Sequence, residues 1–225
     1  MAGKTTITID GPGGSGKSTV ARRLASSLGF AFLDSGAIYR AATWFALDRG
    51  LELTDTALVL QAMDGLNMHF EQTPAGMSVF VNLVDVTGQI RTREVSNSIF
   101  HLANSGEVRD RLIGYQQAFA EEADLVAEGR DMGSVVFPDA PLKFYLMASL
   151  EVRAGRRQRE LDQADEAIDF EAIKEEIRIR DERDSNREVA PLCKPEGAVI
   201  IDSSNLDIQQ VIEAMNGEAR SRGLV

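Results

Sequence analysis

The chain has 225 residues, of which 44% are hydrophobic and 26% are charged, the balance of an ordinary globular protein. Against 24 lysines and arginines stand 35 aspartates and glutamates, so that the formal charge at pH 7 is -11. This acidity argues against a protein that binds nucleic acid or an anionic membrane, because both need a net basic surface.

The length suits one domain with subdomains, or at most two small domains, and it is ample for a hydrophobic core. A single cysteine, Cys193, excludes an internal disulfide framework and fits a reducing compartment. The N-terminal residues lead into a strand-like stretch without a secretory apolar region, and no apolar run approaches the roughly 20 residues of a membrane span. The sequence therefore predicts a soluble, cytoplasmic protein.

Strand and helix patterns alternate in the first fifty residues. Residues 6–10 are typical of a strand, and a glycine-rich turn follows. Apolar residues on one face then predict a helix over 17–28, with Gly29 as its C-cap. Residues 31–34 form a short apolar run, and a second helix is expected over 38–49. This half of the pattern predicts two strands that are joined by a helix.

The pattern changes between residues 67 and 87. Short β-type runs at 67–70, 77–82 and 84–87 follow one another closely, and residues 73–76 predict a turn between the first two. Short strands joined by tight turns are typical of antiparallel pairing. We therefore expect a small antiparallel insert within an otherwise α/β chain.

Alternation resumes beyond residue 94. The predicted elements are helices at 95–103 and 108–122, strands at 125–128 and 142–147, helices at 151–161 and 170–183, a strand at 198–202 and a helix at 207–222. Apolar strands that alternate with helices are typical of a parallel sheet that is covered by helices on both faces. The fold class expected is therefore α/β.

Residues 11–18 match the phosphate-binding pattern G-x-x-x-x-G-K-[ST] and lie between a predicted strand and a predicted helix. Glycines let backbone N–H groups converge on a phosphate, and the helix that follows adds the positive end of its dipole. Lys17 supplies a cation for the β- and γ-phosphates, and the Ser18 hydroxyl can ligate Mg²⁺. The sequence thus predicts a nucleoside triphosphate site made by Gly11, Pro12, Gly13, Gly14, Ser15, Gly16, Lys17, Ser18 and Thr19.

Two acids end apolar strands near this loop. Asp10 is expected either to position the waters of Mg²⁺ or only to cap the loop. Glu128 ends a strand as a Walker B acid does, but it runs directly into Gly129-Arg130-Asp131, which is more typical of acceptor binding. A GTPase would carry an N-K-x-D motif, which the sequence lacks. A small-molecule kinase suits the short chain best, with a non-catalytic nucleotide-binding module as the competing interpretation.

Most of the positively charged side chains are arginine, since 19 are arginine and five are lysine. Arginine is preferred for planar recognition of phosphate, although a bias in base composition has the same result. Clusters at 34–40 and 128–133 follow strands, at the sheet edge where α/β folds bind ligands. The alternative for the first cluster is an ordinary strand-to-helix turn with Ser35 as N-cap. Two further sets would each lie on one face of a helix. They are Arg153, Arg156 and Arg157, and, if the helix extends that far, Arg180, Asp184 and Arg187. The alternative is that each set is an ordinary solvated helix face.

Taken in order, these segments resemble the bacterial cytidylate kinase family over nearly the whole chain. The matching segments are I-D-G-P at 9–12, G-K-S-T at 16–19, L-D-S-G-A-I-Y-R at 33–40, E-G-R-D-M-G at 128–133, V-F-P-D-A at 136–140, R-D-E-R-D-S-N-R at 180–187 and A-P-L at 190–192. The segments at 34–40 and 129–133 discriminate best. The resemblance implies a monomer that transfers the γ-phosphoryl group of ATP to CMP or dCMP with Mg²⁺, giving CDP or dCDP.

The resemblance also implies the P-loop nucleoside monophosphate kinase fold. That fold has a parallel five-stranded sheet flanked by helices, with the antiparallel insert in the acceptor-binding subdomain. Within a single kinase domain, the core would comprise residues 1–35, 123–150 and 190–225. The acceptor-binding subdomain would span about 36–122, and the lid with its arginine-rich helix about 151–189.

Site residues follow from the same resemblance, position by position. The implied acceptor contacts are Ser35, Tyr39, Arg40, Arg109, Arg130, Asp131, Arg180, Asp184 and Arg187. The residues expected to act in catalysis are Lys17, Arg130, Arg153, Arg157 and Arg187, with Mg²⁺ held through Ser18.

Within that set, Arg40, Arg130 and Arg187 would hold the CMP phosphate. Asp184 and Arg180 would bind the ribose hydroxyls, and Arg109 with Asp131 would contact the cytosine edge. Arg153 and Arg157 would close on ATP from the lid. The chain departs from the family at Phe100, where a small hydroxyl residue is frequent, so one base contact is either absent or supplied by Ser96 or Ser98.

Overall fold

The structure is a computed structural model that describes residues 4–73, 76–163 and 168–225. The strands of these ranges are β1 (Thr6–Asp10), β2 (Ala31–Asp34), β3 (Met68–Thr73), β4 (Gly76–Val81), β5 (Val84–Asp85), β6 (Leu125–Gly129), β7 (Leu142–Met147) and β8 (Val199–Asp202). The helices are α1 (Lys17–Leu28), α2 (Ser35–Asp48), α3 (Thr56–Met63), α4 (Arg93–Ala103), α5 (Gly106–Glu122), α6 (Leu150–Gln163), α7 (Phe170–Asn186) and α8 (Ile208–Ser221). A 3₁₀ turn lies at Gln89–Arg91 and a π-helical turn at Met132–Val136.

Five strands form a parallel sheet in the order β2-β6-β1-β7-β8. Every residue of β1 and of β6 is buried, because helices cover both faces of the sheet. From β1 the chain continues to β2 at one edge of the sheet, and from β7 it continues to β8 at the other edge. A crevice at the carboxyl ends of the central strands is the expected ligand site of such a sheet.

The core lies between this sheet and its helices. Ile7, Leu24, Leu33 and Phe144 are fully buried within it, and α1 packs against α8. Gly29 ends α1 with φ of 71°, which confirms the predicted C-cap. Among the described residues, none of the helices combines the length and the apolar character that crossing a membrane requires.

The antiparallel insert is also confirmed. Strands β3, β4 and β5 pair in that order. Alternate side chains of β4 are buried in the core, namely those of Met77, Val79 and Val81. Contacts of β4 with β2 and α2 attach the small sheet to the main body. The predicted turn at 73–76 includes residues 74 and 75, which lie outside the described residues.

Several element bounds differ from the sequence prediction, most by one to three residues, and one helix was not predicted. Helix α2 begins three residues early because Asp34, rather than Ser35, is its N-cap and accepts a hydrogen bond from the Ala37 N–H at 2.9 Å. Helix α3 was not predicted, and Asp55 caps it in the same way. Helix α7 ends at Asn186, so Arg187 follows in an extended conformation and does not share its helical face.

Gly11 directly follows β1 and has a conformation that a side chain would strain. Its φ is +150°, and a Cβ atom there would lie 2.1 Å from the Leu146 carbonyl oxygen of β7. We expect Gly11→Ala to lower the free energy of unfolding by about 2–5 kcal/mol, because backbone strain and a backbone clash add together. Urea denaturation measures the loss.

Gly29→Ala is the matched control for this substitution. Gly29 also has a positive φ, +71°, but its Cβ position has no heavy atom within 4 Å. We expect this variant to lose only about 1 kcal/mol of unfolding free energy. Equal losses in the two variants would contradict the importance of the Leu146 contact.

Candidate active site

A cleft of about 1540 Å³ opens at the carboxyl ends of the central strands. The glycine-rich loop and the start of α1 form its floor, and α2 and α4 face α6 and α7 across it. Most predicted site residues line this cleft: Gly13, Gly14, Ser15, Gly16, Lys17, Ser18, Thr19, Ser35, Tyr39, Arg40, Arg109, Arg130, Asp131, Arg157, Arg180, Asp184 and Arg187. Gly11, Pro12 and Arg153 are the predicted residues that do not.

The glycine-rich loop presents its backbone to the cleft. Gly14 and Gly16 have φ of +73° and +92°, which glycine adopts without strain. Among the described residues, no side chain caps the first turn of α1, so its N–H groups face the cleft. Lys17 is buried, and its Nζ donates to the Pro12 carbonyl at 2.7 Å. Burial, and next the charge of Arg130, lower the pKa of Lys17 well below its usual range.

Hydroxyl and carboxylate oxygens meet beside this lysine. The Ser18 hydroxyl donates to Glu128 Oε1 at 2.5 Å. Burial, followed by the negative charge of Asp34, raises the pKa of Glu128. A cation would offset both effects, and such oxygens are the ligands that Mg²⁺ prefers. The donor set therefore fits a divalent cation next to bound phosphates.

A buried ion pair lies at the end of the cleft that is predicted to bind the acceptor, referred to below as the acceptor end. Arg109 on α5 contacts Asp131, which follows β6, and their side chains are only 2% and 5% exposed. Arg187 Nη2 lies 3.8 Å from Asp131 Oδ2. The Arg109 guanidinium lies 5.7 Å from the centre of the Tyr39 ring. Within the described part of the chain, the Tyr39 hydroxyl and Arg187 Nη2 are buried without a hydrogen-bond partner, so a polar ligand could satisfy both.

Positive charge accumulates between the two ends of the cleft. Arg130 Nε donates to Asp184 Oδ2 at 2.8 Å, and Arg40 Nη2 pairs with Asp34 Oδ2 at 2.9 Å. Desolvation, and next the charge of Arg130, lower the pKa of Arg180 to about 10. Despite its overall acidity, the protein therefore holds a local cationic surplus that a phosphate would neutralise.

The two predicted lid arginines differ in their surroundings. Arg153 is buried behind the phosphate loop, where its Nη1 donates to the Gly13 carbonyl at 2.9 Å and to Asp181 Oδ2 at 2.6 Å. Arg157 lines the cleft and pairs with Glu160 at 3.1 Å. The approach of either residue to ATP stays a prediction.

Sequence reasoning missed other residues that hold the phosphate loop. Arg156 donates to the Ser15 carbonyl at 2.9 Å and to the Ser203 carbonyl at 2.8 Å, and Asp181 Oδ1 accepts from the Gly13 N–H at 3.3 Å. The only available signals were the place of Arg156 in the helical arginine set and that of Asp181 beside Arg180. Neither signal indicated a contact with the loop.

Phe100 lies on the acceptor side of the cleft and is 36% exposed. The Arg183 guanidinium of α7 lies 5.1 Å from the centre of its ring. Of the two serines considered as substitutes for a base contact, Ser96 lines the cleft and Ser98 is not among the lining residues. A substitute contact is therefore better placed at Ser96.

A phosphate loop at the carboxyl edge of a parallel sheet, beneath an arginine-lined cleft, is the arrangement of a P-loop kinase. Solved structures share the fold. A protein from Eubacterium ventriosum ATCC 27560 gives a TM-score of 0.54 at 12% identity, over 97% of this chain and 99% of that one. Shikimate kinase from Acinetobacter baumannii gives a TM-score of 0.50 at 16% identity, over 99% of this chain and 96% of that one. At such identities the likeness concerns the fold alone.

Sequence comparison gives the family. The cytidylate kinase family model matches residues 7–221. Cytidylate kinase of Klebsiella pneumoniae (strain 342) is 44% identical over 216 residues, which is 96% of this chain and 95% of the relative. That of Streptococcus pneumoniae (strain Hungary19A-6) is 43% identical over 217 residues, with 96% and 97% covered. The chain belongs to the cytidylate kinase family, which confirms the resemblance.

Proposed function

We propose that the protein transfers the γ-phosphoryl group of ATP to CMP or dCMP, giving ADP and CDP or dCDP. The observation that carries the proposal is the buried Arg109–Asp131 pair across the cleft from the phosphate loop. A carboxylate accepts a hydrogen bond from the exocyclic amine of cytosine, whereas uracil presents an acceptor at the same position. The guanidinium supplies donors for the acceptor atoms of the same edge.

At the donor end, the backbone N–H groups of the loop and Lys17 would bind the β- and γ-phosphates. Mg²⁺, held through Ser18 with Glu128 beside it, would neutralise phosphate charge when bound. Burial lowers the pKa of Lys17, and the negative charge of a bound phosphate would favour its protonated form again. These groups would stabilise the charge that moves onto the transferring phosphoryl group.

At the acceptor end, Arg40, Arg130 and Arg187 would hold the CMP phosphate, while Arg180 and Asp184 would bind the ribose. Ser35 and Tyr39 would border the nucleotide. The acceptor phosphate is already a competent nucleophile, so the transfer depends on positioning and charge neutralisation rather than on a general base. Arg153 and Arg157 would support the donor end, and the contacts of Arg153 favour an action through the backbone of Gly13.

We also propose the subdomain division given above, with residues 36–122 on the acceptor side and 151–189 as the lid. Arg93 on α4 and Glu176 on α7 lie 3.9 Å apart, which supports closure of these two parts over bound nucleotides. A cytoplasmic monomer that binds neither nucleic acid nor membrane completes the proposal.

The test is ADP release from Mg-ATP in the presence of CMP, dCMP, UMP, AMP, GMP or no acceptor. We expect stimulation by CMP and dCMP, at rates well above that without an acceptor. Stimulation by a different nucleotide would instead support a P-loop kinase for another acceptor. A rate that no acceptor raises would favour the non-catalytic module.

A further inference from the structure

Asp10 is a carboxylate without solvent exposure at the end of β1, directly before the phosphate loop. Its Oδ1 accepts from the Met132 N–H at 2.7 Å, and its Oδ2 accepts from the Gly133 N–H at 2.8 Å. Both N–H groups begin the π-helical turn that follows Arg130 and Asp131. The two oxygens of one buried side chain therefore bind the segment that carries the acceptor residues.

The same segment is packed closely onto β1. A Cβ atom at Gly133 would lie 2.7 Å from Thr8 Oγ1 and 3.0 Å from Pro195 Cγ, so only glycine permits this approach. Thr8 and Asp10 are two residues apart on a strand and share its face. The Met132 side chain is fully buried. One face of β1 thus supports the acceptor segment from below.

These contacts give Asp10 a role that differs from both of those that the sequence left open. Each carboxylate oxygen already accepts a short hydrogen bond from the acceptor segment, which is neither the phosphate loop nor a set of metal ligands. Lys17 and Asp131 are the charged groups that act on this carboxylate. Burial raises the pKa of Asp10 to about 7, while the two backbone N–H groups act in the opposite direction. Those N–H donors favour the ionised form, in which both oxygens accept.

We propose that Asp10 is a positioning residue for the acceptor nucleotide, because it fixes Arg130 and Asp131 in register with the phosphate loop. The inference rests on the proposed function, in which these two residues contact the acceptor. Asp10 is joined covalently to Gly11 on one side and by hydrogen bonds to the acceptor segment on the other. It therefore sets the distance between donor and acceptor sites, where displacements of about 1 Å cost about 100-fold in rate.

Asp10→Asn tests this role with little change in shape. The amide keeps one acceptor oxygen but turns an NH₂ group toward a backbone N–H, so one hydrogen bond is lost and two donors face each other. We expect the Kd for CMP to rise about 10- to 100-fold, and the preference for CMP over UMP to fall. The Kd for ATP should change less than about 2-fold. Isothermal titration calorimetry with each nucleotide alone measures both constants.

Thr8→Val is the matched control. Thr8 lies on the same strand face and is fully buried, and within the described part of the chain its Oγ1 has no hydrogen-bond partner. The substitution is nearly isosteric and should leave the Kd values for CMP and ATP unchanged. Gly133→Ala provides a second variant, since it keeps Asp10 but pushes the segment away, and we expect the same selective loss of CMP affinity.

Three results would overturn the proposal. One is an unchanged CMP affinity in Asp10→Asn. An altered Mg²⁺ dependence of ATP binding in that variant would then indicate that Asp10 positions the waters of the metal. Another is an equal loss of both affinities together with a lower melting temperature, which would indicate a structural role only. The third is a loss of CMP affinity in Thr8→Val as large as that in Asp10→Asn. The unsubstituted protein tests the proposed function separately, and if another acceptor is selected there, the variants are compared with that acceptor.

Discussion

Lys17→Ala should reduce turnover by about 10³-fold while the affinity for CMP changes little. Lys17 is the buried cation of the phosphate loop, and a preorganised charge at a transferring phosphoryl group contributes on this scale. Its Nζ donates to the Pro12 carbonyl, within the loop itself, and the loop lies across the cleft from the Arg109–Asp131 pair. Steady-state ADP release gives kcat, and calorimetry gives the Kd for CMP.

Unfolding should not explain this loss. Folding lowers the pKa of Lys17, so the charge itself opposes folding at any pH below the unfolded pKa. The variant also loses a buried side chain and its hydrogen bond to the Pro12 carbonyl, so a melting temperature above the assay temperature is part of the measurement. Lys174→Ala is the control, because Lys174 pairs with Glu171 on α7 and is not among the residues that line the cleft. Full activity in Lys17→Ala, or an equal loss in Lys174→Ala, would refute the role of the loop lysine.

The features predicted best are those that short segments determine. The phosphate loop needs glycines at fixed positions for backbone reasons, and Gly14 and Gly16 do adopt positive φ. Strands β1, β2 and β7 are short segments bounded by turn residues, and their predicted bounds are correct. Helix α2 was placed three residues late because Asp34, the last strand residue, also serves as its N-cap. One side chain with two local roles cannot be recognised from periodicity.

The contacts that sequence reasoning missed join residues far apart in the chain. Asp10 binds Met132 across 122 positions, and Ser18 meets Glu128 across 110. The sheet order brings these pairs together, because β1 lies next to β6, and no local pattern specifies that order. Arg153 illustrates the same limit. The resemblance implied a lid residue that closes on ATP, whereas tertiary packing buries Arg153 against the Gly13 carbonyl.

Asp131→Asn should lower the ratio of kcat/KM for CMP to that for UMP by about 100-fold. The Asp131 carboxylate can only accept a hydrogen bond, which suits the amine of cytosine, whereas an asparagine amide also donates to the carbonyl of uracil. A site built around a buried polar pair discriminates strongly, because the wrong partner leaves buried groups unpaired. The measurement is ADP release with each acceptor under kcat/KM conditions.

Asp184→Asn is the matched control for specificity. Asp184 is an acid of the same cleft, but it pairs with Arg130 and is proposed to bind the ribose, which CMP and UMP share. Its loss should weaken both acceptors alike and leave the ratio unchanged. A ratio that Asp131→Asn leaves intact, or that Asp184→Asn lowers equally, would remove base selection from Asp131.

Stability separates base selection by Asp131 from a purely structural role. Arg109 is 2% exposed and Arg187 lies 3.8 Å from Asp131, so Asp131→Ala leaves two buried guanidinium groups without their shared counter-charge. Breaking a buried pair of this kind costs about 3–5 kcal/mol of unfolding free energy. Asp131→Asn retains an oxygen for Arg109 and should lose less. The two variants differ in stability, but both lack the carboxylate. A similar fall in the CMP preference of each would therefore assign that preference to the Asp131 carboxylate.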